Sequence, residues 1–81
     1  MKNTKQPSFD QRGFQQEIGL RLAITRKLKK VTQEKLSARM GITRSQLANL
    51  EAGRSRIYVD QIWRAAIVLD IRIGKLIPEG K

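Results

Sequence analysis

The 81-residue sequence contains neither cysteine nor histidine. Without cysteine, no disulfide, thiolate nucleophile or cysteine-ligated zinc site can form. Without histidine, the chain lacks the commonest metal ligand and the commonest general base. Its seven acidic residues leave few carboxylates for acid–base chemistry. We therefore expect no enzymatic activity, no bound metal ion and no cofactor.

Long apolar runs are also missing. No stretch approaches the roughly 18 residues that a membrane-spanning helix needs, and residues 1–10 lack the apolar segment of a signal peptide. Both absences favour a cytoplasmic location. A chain of 81 residues is sufficient for one small domain, and a domain of this size often gains stability from a partner.

Positive charge is what the sequence has in excess. Seventeen lysines and arginines against seven acids give a net charge of +10. Such a chain is attracted to polyanions, which include nucleic acid, anionic membranes and acidic proteins. A membrane-surface peptide is disfavoured because the cationic residues are spread over several faces. Nucleic acid is the favoured partner, and a charge that serves only solubility is the alternative.

Residues 1–12 form a polar segment with one proline, Pro7, and no hydrophobic periodicity. This composition predicts a flexible N-terminal tail, followed by one domain over residues 13–81. Lys2, Lys5 and Arg12 could contact a DNA backbone from the tail. A solvated tail without that role is the favoured interpretation.

The segment from Phe14 to Lys29 is predicted to be helical, with apolar residues on two sides. Residues four positions apart fall on one side of a helix. The first stripe is Phe14, Ile18 and Leu22, and the second is Leu20, Ile24 and Leu28. At ~100° per residue the two stripes point in different directions. Burial of both therefore requires cover from another segment or another chain.

Two short helices follow, separated by a glycine. Thr32 is positioned to cap the first, which runs to about Met40. Gly41 stands where a helix commonly ends in a left-handed residue. Thr43 then begins the next helix, with Gln46 at the capping-box spacing.

After the third helix, which begins at Thr43, the sequence pattern predicts two more helical segments. The third helix is expected to end near Gly53, ahead of a basic loop. A fourth helix is expected from Val59 to Leu69, and a last short helical turn from Ile71 to Ile77, ended by Pro78. The sequence shows no strand pattern and no internal repeat, so the predicted fold class is all-α.

The two helices around Gly41 are predicted to cross at a steep angle, so that the first braces the second. A helix of ~10–12 Å diameter fits the major groove of B-DNA, which is roughly 12 Å wide. An apolar seam is predicted to hold the pair together: Leu36, Met40, Ile42, Leu47 and Leu50. The residues left on the outer face of the second helix are Arg44, Ser45, Ala48 and Asn49.

The stretch "TQEKLSARMGITRSQLANLEAGR" resembles the helix-turn-helix family typified by the lambda and Cro repressors, the XRE family. The match comprises a Thr-Gln opening, a leucine followed by a small residue, an apolar-Gly-apolar turn, two apolar seam positions and a Glu-x-Gly close. It extends over residues 18–77. Ser37 departs from the pattern, since alanine is commoner there.

This resemblance implies a compact five-helix, lambda-repressor-like DNA-binding domain with helices 2 and 3 as the helix-turn-helix. It also implies a transcriptional regulator of bacterial or phage origin, associated with the nucleoid. Such a protein is expected to act as a small repressor, binding as a homodimer to a palindromic operator in double-stranded DNA.

Roles for individual residues follow from the same resemblance. Arg44 is suited to a bidentate contact with guanine and Asn49 to one with adenine. The full set of implied base contacts is Arg44, Ser45, Ala48 and Asn49. The implied phosphate contacts are Gln33, Thr43, Arg54 and Arg56.

A structural ion pair between Arg26 and Glu51 is also implied by the resemblance. It would join the first helix to the end of the third. A phosphate contact is the alternative for Arg26.

The dimer interface has two candidate surfaces. One is the second stripe of helix one, with Leu20 and Ile24. The other is C-terminal, and the symmetry of the family favours it: Ile57, Tyr58, Trp63, Ile67, Ile73 and Ile77. The stripe on helix one would then be covered by a terminal segment of the same chain.

Several functions reuse such a domain. A phage repressor, a toxin-linked antitoxin and a restriction–modification controller are not separated by the sequence. From another class, a protein-interaction module would dock a partner on the two-sided first helix. Steep loss of DNA affinity with salt would identify a regulator.

Overall fold

The computed structural model describes residues 10–78 of the chain. In chain order, this part contains α1 (Gln11–Leu28), α2 (Gln33–Met40), α3 (Arg44–Glu51) and α4 (Val59–Leu69), followed by a 3₁₀ turn (Ile73–Lys75). Residues 10–78 contain no strand, so the predicted all-α class is confirmed. None of the helices between residues 10 and 78 could form a membrane span.

The prediction of five helices was wrong, because the last helical segment is a single 3₁₀ turn. Asp70 adopts a left-handed φ of 56° and ends α4, and Pro78 follows closely. The intervening segment is too short to offset the cost of nucleating an α-helix, and Gly74 lowers its helix propensity further. Leu76, directly after the turn, is buried and packs in the core, which holds the segment against the helices.

Helix α1 begins earlier than the apolar pattern indicated. The Asp10 side chain accepts a hydrogen bond of 2.9 Å from the Gly13 amide and so caps the helix. Gln11 and Arg12 are therefore helical, although they were predicted to belong to the tail. Residues 1–9 of the predicted tail, and residues 79–81 of the predicted domain, lie outside the described residues.

All four α-helices end in the same backbone motif. A residue with positive φ donates its amide to the carbonyl three positions back, and the next residue donates to the carbonyl five positions before itself. These bonds satisfy carbonyls that the helix end leaves unpaired. The left-handed residues are Lys30, Gly41, Gly53 and Asp70.

The core lies where α1, α2, α3 and α4 meet. The first stripe of α1 faces it, with Ile18 and Leu22 buried and Phe14 packed at the edge. The other buried apolar residues are Leu36, Met40, Leu47, Leu50, Ile62, Ala65, Ala66, Leu69 and Leu76. The second stripe of α1 is not covered within the described residues, since Leu20, Ile24 and Leu28 are all exposed.

Gly19 allows the backbones of α1 and α3 to touch. A Cβ atom added at this position would lie 2.2 Å from the Leu50 carbonyl oxygen and 2.8 Å from that of Glu51. Only glycine lacks the Cβ, so the close packing of the two helices depends on this residue.

A buried ion pair joins the same two helices. Arg26 Nε donates to Glu51 Oε2 at 2.6 Å and Arg26 Nη2 to Oε1 at 3.1 Å. A third bond, of 3.0 Å, runs from Arg26 Nη1 to the Val31 carbonyl in the loop before α2. The two side chains are only 10% and 7% exposed. One arginine therefore connects α1, the α1–α2 loop and the end of α3.

Removing one partner of this pair is expected to leave a buried charge unpaired. Glu51→Ala should lower the free energy of unfolding by about 3–5 kcal/mol. Glu17→Ala is the matched control, because Glu17 pairs with Arg21 at 2.9 Å in a partly exposed position and should cost less than about 1 kcal/mol. Urea denaturation of both variants measures the difference, and equal losses would contradict a structural role for the buried pair.

Gly19→Ala should destabilise the domain by about 1–3 kcal/mol, although alanine favours helix formation by about 1 kcal/mol. The reason is the overlap with backbone atoms of α3, which cannot rotate away. Gly74→Ala is the control, since a Cβ there meets no atom within 4 Å. Thermal melting followed by circular dichroism compares the two, and a Gly19→Ala variant as stable as wild type would contradict the observed packing.

Candidate nucleic-acid interface

Helices α2 and α3 form a compact unit around a three-residue connection. Gly41 has φ of 76° and ψ of 28°, a left-handed conformation that reverses the chain after α2. Arg64 of α4 supports this turn by donating from Nη1 to the Met40 carbonyl at 3.1 Å. The predicted seam lies between the helices, with Leu36, Met40, Leu47 and Leu50 buried and Ile42 half-buried.

The start of α3 is fixed by a capping box. Thr43 Oγ1 accepts from the Gln46 amide at 3.0 Å, and Gln46 Oε1 accepts from the Thr43 amide at 2.7 Å. These reciprocal bonds satisfy two amides at the helix start. A hydroxyl that accepts in this way still has its own hydrogen to donate. Thr43 is exposed, so that donor is accessible from outside.

The four predicted base-contact residues all lie on α3. Arg44 and Ser45 are exposed in its first turn, and Ala48 and Asn49 are half-buried further along. Glu51 is the only acidic residue of this helix, and its carboxylate is held by Arg26. The exposed surface of α3 therefore carries the charge of Arg44 with no neighbouring carboxylate on the same helix.

Gln33, predicted to contact phosphate, is part of the buried ion-pair network. It is the first residue of α2, and its Nε2 donates to Glu51 Oε1 at 2.9 Å. An amide NH₂ group has two hydrogens, so one remains for a ligand. The sequence analysis missed this bond, because the two residues are distant in the sequence and their spacing carries no signal.

The loop after α3 begins with a firmly placed arginine. The Arg54 amide donates to the Asn49 carbonyl at 3.0 Å, and Arg54 Nε donates to Asn49 Oδ1 at 3.1 Å. Both Arg54 and Arg56 are exposed. The structure therefore brings one predicted phosphate contact against one predicted base contact.

Arg12 was predicted to belong to a flexible tail, but it is part of α1 and lies beside this loop. An open cleft between the start of α1 and the loop has polar walls: Gln11, Arg12, Gln15, Gly53, Arg54, Ser55 and Arg56. Three arginines thus line one concave surface, and no acidic residue does. The signal that could have placed Arg12 is Asp10, a favourable N-cap residue three positions before Gly13.

The residues predicted to form the dimer interface divide into two groups. Tyr58 and Trp63 are each 59% exposed. Ile57, Ile73 and Ile77 are half-buried and pack against the core. Ile67, also predicted, is 63% exposed on α4, and Val59, at 77%, extends this exposed surface. The stripe Val59, Trp63 and Ile67 has four-residue spacing, and Val59 was not predicted as part of it.

No group of three or more acidic, histidine or cysteine side chains within residues 10–78 could hold a metal ion. The exposed polar residues on α3 and its flanking loops include Thr43, Arg44, Ser45, Arg54 and Arg56. All five can donate hydrogen bonds, and the three arginines are cations. Such a surface is suited to binding a polyanion.

Comparisons with known proteins agree with this geometry. The model of the helix-turn-helix family HTH_3 matches residues 22–76. This segment begins within α1 and includes α2, α3, α4 and the 3₁₀ turn. No curated protein matches the sequence of the chain significantly.

Among solved structures, the restriction-modification controller protein C.AhdI from Aeromonas hydrophila is 31% identical, with a TM-score of 0.73, and the match covers 76% of this chain and 94% of that chain. The clp gene regulator ClgR from C. glutamicum is 20% identical, with a TM-score of 0.75 and coverage of 88% and 86%. Hydroxypropylphosphonic acid epoxidase from S. wedmorenis is 28% identical, with a TM-score of 0.72 and coverage of 79% and 34%.

The likeness to the epoxidase thus concerns about a third of that enzyme's chain, whereas the controller protein is matched over almost its whole length. The family model covers more than half of the present chain, including the entire α2–α3 unit. The chain belongs to the XRE-type helix-turn-helix family of DNA-binding transcription regulators.

Proposed function

We propose that the chain is a small repressor that binds, as a homodimer, to a palindromic operator in double-stranded DNA. The observation that carries the proposal is the surface of α3. Arg44 and Ser45 are exposed at the start of a rigidly capped helix, with an arginine-rich loop at its other end.

In this proposal α3 enters the major groove with its first turn leading. Arg44 can donate two parallel hydrogen bonds to the O6 and N7 atoms of guanine. Ser45 can donate to or accept from a base edge, and the small side chain of Ala48 lets the helix approach closely. Asn49 adds an amide to the same surface.

Phosphate contacts on both sides of the groove would hold this orientation. Gln33 can use its second amide hydrogen at the start of α2, where the helix dipole favours an anion. The hydroxyl of Thr43 supplies another donor. Arg54 and Arg56 supply charge at the far end of α3, and contacts of this kind fix the register of a protein on DNA.

Dimerisation is proposed through the C-terminal surface. A single recognition helix reads few base pairs, and related regulators pair two half-sites about 34 Å apart. The stripe Val59, Trp63 and Ile67 leaves apolar area exposed on α4. Tyr58 continues this area into the loop before the helix, so a second copy could bury it.

A restriction–modification controller is the second candidate function. It is favoured by the 31% identity to C.AhdI over 94% of that chain. Both candidates require sequence-specific DNA binding by α3, and they differ in the genes that are regulated.

The proposed readout predicts different effects for two exposed arginines. Arg44→Ala should cost about 1–3 kcal/mol on the preferred site and relax the choice at one base pair. Arg56→Ala should weaken binding to all duplexes about equally and reduce the salt slope by about one unit. Fluorescence anisotropy titrations over a range of salt concentrations measure both. If Arg44→Ala lowered all affinities equally, α3 would not be the reading helix.

A wild-type affinity that hardly changes with salt would favour a protein-interaction module.

The dimer interface predicts different effects for two exposed apolar residues. Trp63→Asp should abolish the dimer, because it places a charge in the proposed contact, whereas Leu20→Asp should leave it intact. Sedimentation of each variant with and without operator DNA measures the assembly, and circular dichroism checks that both are folded. A dimer lost only in folded Leu20→Asp would move the interface to α1.

A further inference from the structure

We infer that Arg54 determines base specificity by orienting Asn49, in addition to any contact it makes with phosphate. The inference rests on the proposed function, since it concerns how α3 reads DNA. The resemblance to the family led us to expect a contact between Asn49 and adenine. The inference assigns guanine to Asn49 instead.

The backbone around Arg54 is fixed by the end of α3. Gly53 has φ of 74°, its amide donates to the Leu50 carbonyl at 3.1 Å, and the Arg54 amide donates to the Asn49 carbonyl at 3.0 Å. Gly53 also packs tightly on α1, because a Cβ there would lie 2.9 Å from the Cα atom of Gln16. The base of the Arg54 side chain is therefore held in place beside Asn49.

The side chains of Arg54 and Asn49 form a hydrogen bond in which arginine can only be the donor. A guanidinium group has only hydrogen-bond donors, so the atom that Arg54 Nε contacts at 3.1 Å must be the carbonyl oxygen of the Asn49 amide. This bond turns Oδ1 toward the loop. The Nδ2 group, with two hydrogens to donate, takes no part in this bond and is the part of the amide turned away from Arg54.

An amide held in this way should distinguish the purines. Guanine offers two acceptors in the major groove, N7 and O6, whereas adenine offers the acceptor N7 and the donor N6. A bidentate contact with adenine needs the amide oxygen as well as the nitrogen. Oδ1 has a second lone pair, but its bond to Arg54 Nε holds the oxygen toward the loop and so away from the N6 donor of adenine. Asn49 should therefore prefer guanine to adenine at the base pair it reads.

Arg54 can make this bond and hold a phosphate at once. Nε is used for Asn49, while the two terminal nitrogens carry four further donors. Arg54→Lys separates the two roles, because lysine keeps the positive charge and has no donor at the Nε position. Arg56→Lys is the matched control, since it makes the same change in the same loop, at a residue that is not bonded to Asn49.

The experiment measures affinities for operator duplexes carrying each of the four base pairs at every position. The base pair that Asn49 reads is the position at which the Asn49→Ala variant binds duplexes with all four base pairs equally well. There, wild type should prefer guanine to adenine by at least about fivefold. Arg54→Lys should shift this ratio toward adenine by about fivefold with an unchanged salt slope, and Arg56→Lys should leave the ratio unchanged.

The inference is overturned if Arg54→Lys lowers all affinities by one factor and keeps the guanine-to-adenine ratio, or if Asn49→Ala changes the preference at no position. A wild-type chain that binds every duplex equally would instead overturn the proposed function. Circular dichroism should show that the variants remain folded, because Arg54 and Arg56 are exposed.

Discussion

The bidentate ion pair between Arg26 and Glu51 is the interaction on which the rest of the structure depends. Its arginine lies on α1 and also bonds the Val31 carbonyl, and its carboxylate ends α3 and accepts from Gln33 at the start of α2. A buried pair of this kind contributes little net stability compared with an apolar core, but each partner requires the other. The pair thus specifies how three helices are placed relative to one another.

The same interaction bears on the charge of the α3 surface that we propose to contact DNA. Because Glu51 is buried against Arg26, α3 exposes Arg44 without a competing carboxylate of its own. The start of α3 is set by Thr43 and Gln46, and its end by the backbone turn at Gly53. A helix of eight residues is too short to be stable alone, so its rigidity comes from these end contacts and from the buried leucines beneath it.

The sequence was sufficient to predict the features that depend on local chemistry. The range of α4, the cap at Thr32 and the left-handed Gly41 follow from periodicity and from residue preferences at helix ends, and the structure has them. The apolar pattern also predicted the seam between α2 and α3, but contacts between particular residues of distant segments were not predictable in this way. The spacing of Gln33 and Glu51, or of Gly19 and Leu50, carries no signal, because their contact depends on how α1, α2 and α3 pack. The Arg26–Glu51 pairing was available only through resemblance to a family.

Selection of bound duplexes from a random DNA pool, followed by sequencing, tests most directly whether α3 reads DNA. The account predicts enrichment of a short sequence that includes guanine, repeated in inverted orientation with the centres about one helical turn, ~34 Å, apart. Recovery of duplexes with no shared sequence would contradict it, because binding would then depend on charge alone.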